Sequence, residues 1–588
     1  MLIPFVLTVV FLAIALILAG WLARCAWLGS RLAIKRSQSE SGPSAYVQTI
    51  GTGLRSANKW LAGTRRVFLL LILLVFSFHA YWVYWAEGKD SRFSKAKVFD
   101  ARTRRFAESG LKGWVLDRGG KLESALIRYR YDGRTLVREY PLGRAAIHLT
   151  GFSDFVYGSG GLESAYRDWL TQSASAYNKL VSPVPVGKDL QITIDSDLQR
   201  EVFRLIDATG KPGAAVVLAV PDNEVLALAS SPSFEPSAIQ DEDRWRRMIE
   251  QVEDPSTQAL SPLVNRVLGT LVTGGPAFYY RPGSTFKTFL AAVALDCGVT
   301  SERFTCKADG FRPLGASRPI RDYEGEVHGT IGLREAFAHS CNQYFAQLGL
   351  KIGKQRLAVY ARRLRYVTDP NEEAAARSTG LWLLEHGDQR QFDSIFASPT
   401  DRLNLSKEAT SYDVALESFG QGFDDFTVMA MALLASAVAS PDGGLAAPTF
   451  ELSAPRKVIG PFISGHAAAE LRELMRSVVT RGTAAGVFGQ DTGAAGKTGT
   501  ADRDVLVYDR QGRPLTYTGP DGKSRLRTQV STDSWFIGFA PADNPRIAFA
   551  VMVENGGQGA KVAAPIANKI LEKAGSLGLL KERSGPGE

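Results

Sequence analysis

An α+β fold, built as one antiparallel sheet covered by helices, is what the pattern of apolar residues in this chain predicts. Two observations carry it. Strand-like segments gather at both ends of the region beyond residue 188, and helix-like periodicity fills the stretch between them. A third observation lies upstream, where two uncharged apolar runs before residue 87 predict membrane anchoring.

The anchoring segments come first. Leu2 to Ala23 carries no charge, and at about 1.5 Å per residue such a run crosses a hydrocarbon core of roughly 30 Å. Met1-Leu2-Ile3-Pro4-Phe5 lacks the basic n-region of a cleaved signal peptide, so residues 1–23 read as a retained span. Val67 to Ala86 is the second run, giving a span over 67–86. The loop 24–66 holds Arg24, Arg31, Lys35, Arg36, Arg55, Lys59, Arg65 and Arg66 against Glu40 alone. This bias places the loop in the cytoplasm and everything after Glu87 outside. A net charge of +9 then suits an anionic membrane surface or wall polymer, with no nucleic acid required.

Residues 87–188 are polar and rich in Arg, Gly and Tyr, and they read as a spacer or docking module. Leu126 to Tyr131 and Thr135 to Val137, around Asp132-Gly133, predict a hairpin. Gly158 to Leu170 predicts a short amphipathic helix. Residues 189–580 form the main domain, and 581–588 a tail. Asp189 to Asp195 alternates as a strand, and a helix follows with Ser196 as its N-cap. Ala214 to Val220 and Glu224 to Ala229 predict two strands. Lys497 to Thr500, Ser534 to Ala540 and Arg546 to Glu554 predict three more, and a helix over Ala560 to Leu577 closes the domain.

Three motifs in fixed order carry the chemistry: Ser284-Thr285-Phe286-Lys287, Ser340-Cys341-Asn342 and Lys497-Thr498-Gly499-Thr500. Each is short enough to arise by chance. Ser56-Ala57-Asn58-Lys59 satisfies two of the patterns at once in a solvated basic stretch. Gly496-Lys497-Thr498 mimics the end of a phosphate-binding loop, but position 491 is Asp where that loop needs Gly. The ordered triple is much less probable by chance than any one motif. Arg281-Pro282-Gly283 breaks structure ahead of Ser284, so the serine falls in a first helical turn with Lys287 at i+3 on the same face. Burial there depresses a lysine pKa and makes it a base for the serine hydroxyl. Ser340 and Asn342, two apart in a loop, can aim into one cleft, where Ser340 relays a proton and Asn342 holds a substrate amide or Lys287. Lys497 supplies positive charge for an anionic substrate terminus, and Gly499 permits close approach of a ligand backbone. Backbone N–H groups near Ser284 and Thr500 can form an oxyanion hole.

Of four cysteines, Cys297 and Cys306 stand nine residues apart on the outer side, where a disulfide between them can persist. The six histidines form no His-Glu-x-x-His motif and no Cys/His cluster, so no metal or other cofactor is expected.

With these motifs the chain resembles the penicillin-binding proteins, and most closely the class B monofunctional D,D-transpeptidases of cell-wall synthesis. Further motifs similar to that family are Tyr140-Pro141-Leu142-Gly143, Gly160-Gly161-Leu162-Glu163, Ala227 to Pro232 and Gly420-Gln421-Gly422. The resemblance implies a penicillin-binding/serine β-lactamase-like transpeptidase domain on an elongated N-terminal pedestal, with two N-terminal transmembrane helices. It implies that Ser284 is the acylated nucleophile, Lys287 its base, and Ser340 and Asn342 the relay. Lys497, Thr498 and Thr500 would bind the substrate carboxylate, with Gly499 between them. The implied partners are peptidoglycan stem peptides and lipid-linked precursors, β-lactams, and a membrane glycan polymerase of the SEDS type. The chain departs from the pattern in having two spans, and in a pedestal motif that reads Lys112-Gly113-Trp114-Val115-Leu116-Asp117-Arg118-Gly119-Gly120. About a hundred residues separate the second span from Asp189, too few for a glycosyltransferase domain. Two further readings stay open: a D,D-carboxypeptidase or β-lactamase-type hydrolase sharing the acylation step, and a non-enzymatic scaffold, polymerase activator or β-lactam receptor.

Overall fold

The computed structural model describes residues 66–75, 77, 111–131, 133, 136–154, 156–171, 187–254, 257–273, 279–369, 401–422, 425–452, 456–489, 492–507, 509, 513–518 and 524–581. The chain divides into two units, Met1–Asp100 and Ala101–Glu588. The first apolar run and the tail 582–588 lie outside the described residues, as does the basic loop except for Arg66. Of the second run, 67–75 and 77 are helical, with nearly every side chain exposed. No helix among the described residues is long and apolar enough to cross a membrane.

The second unit is organised by one five-stranded sheet. Its strands are β1 (Gly213–Ala219), β2 (Val225–Ser231), β3 (Ala495–Leu506), β4 (Thr528–Ala540) and β5 (Ile547–Val553). They lie in the order β3-β4-β5-β1-β2, all antiparallel. β1, β2 and β5 are buried along their whole length, so they read as continuous apolar runs.

The main helices are α1 (Ser196–Asp207), α2 (Lys287–Asp296), α3 (Asn342–Ile352), α4 (Val428–Ala439), α5 (Gly465–Thr480) and α6 (Ala563–Ser576). α1 and α6 pack on each other and on the sheet. α4 packs across β4, β5 and β1, and α2 and α5 pack against α4 in turn. All twelve side chains of α4 are buried, as expected for a helix that is apolar on every face. It sits between sheet and helices, so neither side meets water.

Local chemistry moves several predicted boundaries. Asp195, not Ser196, caps α1, its carboxylate accepting from the Asp197 and Leu198 amides at 3.1 and 3.0 Å. The Ser196 hydroxyl instead donates to the Ser124 carbonyl. The strand expected over 189–195 shortens to Leu190–Gln191, which pairs in parallel with Val115–Leu116. Beyond it the Thr193 amide turns to the Phe450 carbonyl. The hairpin forms as expected, with Arg128–Tyr131 antiparallel to Leu136–Glu139. The helix expected over Gly158 to Leu170 breaks into Gly161–Ala165 and Arg167–Thr171.

Charges inside the N-terminal part of this unit make the joint. Glu163 is fully buried, and its carboxylate takes Arg138 at 2.7 Å, Lys112 at 3.4 Å and the Tyr140 hydroxyl at 3.3 Å. Burial raises its pKa, but the Arg138 and Lys112 charges outweigh that and hold the carboxyl below its ordinary range. Arg138 also donates to the Gly113 carbonyl at 2.8 Å, tying the hairpin to the strand beside residue 190.

Candidate active site

Pro282 and Gly283 start a 3-10 turn, Gly283–Phe286, that runs directly into α2. Ser284 lies in that turn and Lys287 opens the helix. The i, i+3 spacing puts the Lys287 Nζ 3.0 Å from Ser284 Oγ. The same amine donates to the Ser340 carbonyl at 2.5 Å, to Ser340 Oγ at 3.0 Å and to Asn342 Oδ1 at 2.7 Å. The rings of Phe345 and Phe419 close over it at 5.7 and 5.9 Å. Lys287 is fully buried, and burial pushes its pKa down to about 8, with the Asp322 and Cys341 side chains opposing. A lysine so poised can take a hydroxyl proton near neutral pH.

The second motif is a junction between helices. Leu333–Ala338 ends, Ser340 takes a left-handed backbone (φ 59°), and Cys341 caps α3 by accepting from the Tyr344 amide. Asn342 is therefore the first residue of a helix, where the sequence suggested a loop. Asp322 holds this helix start, accepting from the Asn342 and Gln343 backbone amides and from Gln343 Nε2 at 2.9 Å. The Asn342 amide group donates to the Arg321 carbonyl at 3.0 Å, which fixes its oxygen toward Lys287.

The third motif lies on β3, the edge strand of the sheet. Lys497, Thr498, Gly499 and Thr500 stand opposite Ile537, Phe536, Trp535 and Ser534. Lys497 is buried, with its Nζ on the Thr498 carbonyl at 3.2 Å and 5.7 Å from the centre of the Phe337 ring. Burial drives its pKa well below the ordinary value, and the Lys287 charge lowers it further. Thr498 Oγ1 meets Thr483 Oγ1 at 2.6 Å. Thr500 accepts from Gln421 Nε2 on its carbonyl, at 3.3 Å, and from the Gly559 amide on its hydroxyl, at 3.4 Å.

Glycine is required where strand and turn meet. A Cβ on Gly499 would stand 2.8 Å from Thr285 Cγ2 and 3.0 Å from the Pro282 carbonyl oxygen. One on Gly420 would stand 2.1 Å from the Gly283 carbonyl oxygen, and Gly420 also has a positive φ of 76°. The turn bearing the serine is therefore a close neighbour of Gly499.

Cys297 and Cys306 do not pair. Cys297 ends α2 and its thiol faces the Tyr360 hydroxyl at 3.6 Å, while Cys306 turns inward to Cys341 with the sulfurs 3.0 Å apart. Sequence spacing also gave no sign of Asp322, Phe345, Phe419 or Thr483. Asp322 and Thr483 come from segments without a motif of their own, while Phe345 rides on α3 behind Asn342 and Phe419 directly precedes Gly420. Gln421 lay inside the Gly-Gln-Gly segment already noted.

A family model described as the penicillin binding protein transpeptidase domain matches residues 213–572. The chain is 28% identical over 490 residues to the peptidoglycan D,D-transpeptidase PbpA of Mycobacterium tuberculosis, covering 75% of this chain and 85% of that protein. It is 25% identical over 501 residues to the peptidoglycan D,D-transpeptidase MrdA of Acinetobacter baumannii, covering 81% and 67%. The crystal structure of PBPA from M. tuberculosis matches with a TM-score of 0.61 at 27% identity, covering 79% of this chain and all of that one. The ceftriaxone acyl-enzyme complex of penicillin-binding protein A from the same organism matches with a TM-score of 0.62 at 26% identity, over 80% and 99%. The family model covers more than half of the chain and contains all three motifs, so this chain belongs to the penicillin-binding protein transpeptidase family.

Proposed function

We propose that this protein is a serine-type peptidoglycan D,D-transpeptidase that also binds penicillin covalently. The observation carrying this reading is the buried Lys287 amine, 3.0 Å from Ser284 Oγ and held by Ser340 and Asn342. In the reaction, Lys287 takes the Ser284 proton as Oγ attacks the carbonyl of a D-Ala-D-Ala peptide bond. The Ser284 and Thr500 backbone amides stabilise the oxyanion. Ser340 passes a proton to the leaving D-Ala amine, and an amine of a second stem then takes the acyl group. Lys497, Thr498 and Thr500 hold the terminal carboxylate. β3 is an edge strand, so an extended stem peptide can lie along it.

The proposed architecture has spans at 1–23 and 67–86, a cytoplasmic loop at 24–66, a pedestal at 87–188 and a transpeptidase domain at 189–580. The catalytic domain then faces outward from a bacterial inner membrane, beside a SEDS-type glycan polymerase that makes the strands to be joined. The charge of the 24–66 loop and the fit of the family model inside 189–580 support this arrangement. The test is to incubate purified protein with a synthetic stem peptide and an amine acceptor, scoring products by mass. Acceptor-linked product is expected; hydrolysed stem alone would make the protein a carboxypeptidase. A fluorescent penicillin should label wild type and not Ser284→Ala.

A further inference from the structure

A buried ion cluster lies where the Ser284 turn meets β3. At its centre is Glu554, the residue that follows β5. Its Oε1 accepts from Arg266 Nε at 3.0 Å and from the Tyr280 hydroxyl at 3.0 Å, and its Oε2 accepts from Arg503 Nη2 at 2.7 Å. Arg503 also ion-pairs with Asp533 on β4, Nε to Oδ2 at 2.9 Å. Arg266, Tyr280, Asp533 and Glu554 are buried, and Arg503 is half-buried. We propose that Glu554 is a positioning residue for acylation: through Tyr280 and Arg503 it clamps the Ser284 turn to β3, and so sets the spacing of the two backbone amides that form the oxyanion hole.

The cluster joins the two segments that carry those amides. Tyr280 stands four residues before Ser284, and Arg503 three residues after Thr500. Side chains alternate along a strand, so Gly499, Ala501 and Arg503 share one face of β3. The serine turn rests on that face. A Cβ on Gly283 would stand 3.0 Å from Ala501 Cβ, and one on Gly499 would stand 2.8 Å from Thr285 Cγ2. Contacts of this kind only limit how near turn and strand can come. The chain from Tyr280 through Glu554 to Arg503 supplies the pull that keeps them from parting.

The remaining bonds anchor that pull in the middle of the sheet. The Arg266 amide donates to Ser230 Oγ on β2 at 3.0 Å, and its Nη1 donates to the Val264 carbonyl at 3.3 Å. The Glu554 amide donates to the carbonyl of Pro212, just before β1, at 2.8 Å. Asp533 accepts from the Asn555 amide at 2.9 Å. Tyr280 is held from both sides. Its backbone exchanges two hydrogen bonds with Phe426, each 2.9 Å, and its ring meets Trp535, the residue opposite Gly499, edge-on at 6.3 Å. Burial, and then the Glu554 charge, raise the Tyr280 phenol well above its ordinary value, so it stays protonated and donates.

Fold stability is the competing use of such a cluster. Buried ion pairs gain little over apolar packing of the same volume, because each charge must first leave water. Stability alone is therefore a weak reason for this one. Its place, between the serine turn and the strand that faces it, is the reason the geometry supplies.

The kinetic part rests on acylation at Ser284, but the clamp itself is read without any activity. Full-length wild type, Glu554→Gln, Tyr280→Phe and the double variant are compared by hydrogen–deuterium exchange. In Glu554→Gln, exchange should rise together in peptides covering 280–287 and 497–503, with α1 and α6 unchanged. A rise spread over the whole sheet, or none in the two segments, would reduce Glu554 to packing. Acylation by a fluorescent penicillin is then resolved into initial binding and a limiting acylation rate. Glu554→Gln should lower the limiting rate about a hundredfold and Tyr280→Phe about tenfold, with initial binding within about twofold of wild type. The double variant should lose no more than Glu554→Gln alone, because both changes cut the same chain of bonds. Tyr280→Phe removes one hydroxyl and keeps the ring, so it carries the test where Glu554→Gln fails to fold. Unchanged limiting rates, losses confined to binding, or additive losses would overturn the positioning role. A wild type that does not label at Ser284 would strike the transpeptidase reading, and the exchange measurement would still decide the clamp.

Discussion

At the residue scale the site turns on two buried lysines with unlike tasks. In the proposed reaction Lys287 must be neutral to accept the Ser284 proton, and its pKa is pushed down to about 8 by burial. Acylation should therefore rise about tenfold per pH unit up to that value and level off above it. Lys287→Met should abolish acylation at every pH, as a stopped-flow penicillin assay would read. Folding carries the opposite sign. A lysine whose pKa falls on folding lowers stability fully below the folded value, and the penalty fades as pH rises toward its ordinary range. The stability of wild type relative to Lys287→Met should improve by about 3 kcal/mol between pH 7 and pH 11, in paired denaturant titrations. Lys497 is buried beside that charge, so its own protonation is disfavoured until an anion arrives. Carboxylate substrates should then bind with proton uptake, detectable in buffers of different ionisation enthalpy. Lys497→Ala should slow acylation steeply for substrates with a free carboxylate and much less for amidated analogues; equal losses would make this lysine structural. The pairing of Ser284 with Lys287 was legible because three residues are one helical step. Asp322 was not, because its value lies wholly in meeting amides twenty residues away in sequence.

At the element scale two contacts decide whether the parts stay in place. β3 lies so close to the Gly283–Phe286 turn that Gly499→Ala would press a methyl against Thr285 and the Pro282 carbonyl. Acylation should fall at least about a hundredfold while far-UV circular dichroism is unchanged, by analogy with small misplacements of a catalytic group. The second contact is the Glu163 cluster. Glu163→Ala leaves Arg138 and Lys112 facing each other without their anion, and should cost about 3–5 kcal/mol in denaturant titration. Its pKa is depressed in the folded state, so the stabilisation is present above the ordinary glutamate range and is lost as pH falls through the lowered value. The sheet strands and the closing helix were readable from apolar runs. The shortened strand at residue 190 and the broken helix after Gly160 were not, because their long-range partners, Phe450 for Thr193 and Lys112 and Arg138 for Glu163, carry no local signal.

At the scale of the whole molecule, sequence reading reached the α+β class with one helix-covered antiparallel sheet, since strands at both ends with helices between leave few alternatives to it. Membrane topology is argued from charge alone, and it predicts that protease added to intact spheroplasts removes the large domain. Complete protection would reverse the orientation. Strand order carries a further consequence. β1 and β2, made early, pair with the rest of the sheet only through β5, near the end of the chain. The wall opposite Ser284 is β3, some two hundred residues after it. During synthesis, a nascent chain that already displays its serine has neither a finished sheet nor a wall to work against. An unfinished copy is therefore inert, unable either to damage the wall or to be spent on an antibiotic. The enzyme becomes competent as one event, when its final strand arrives.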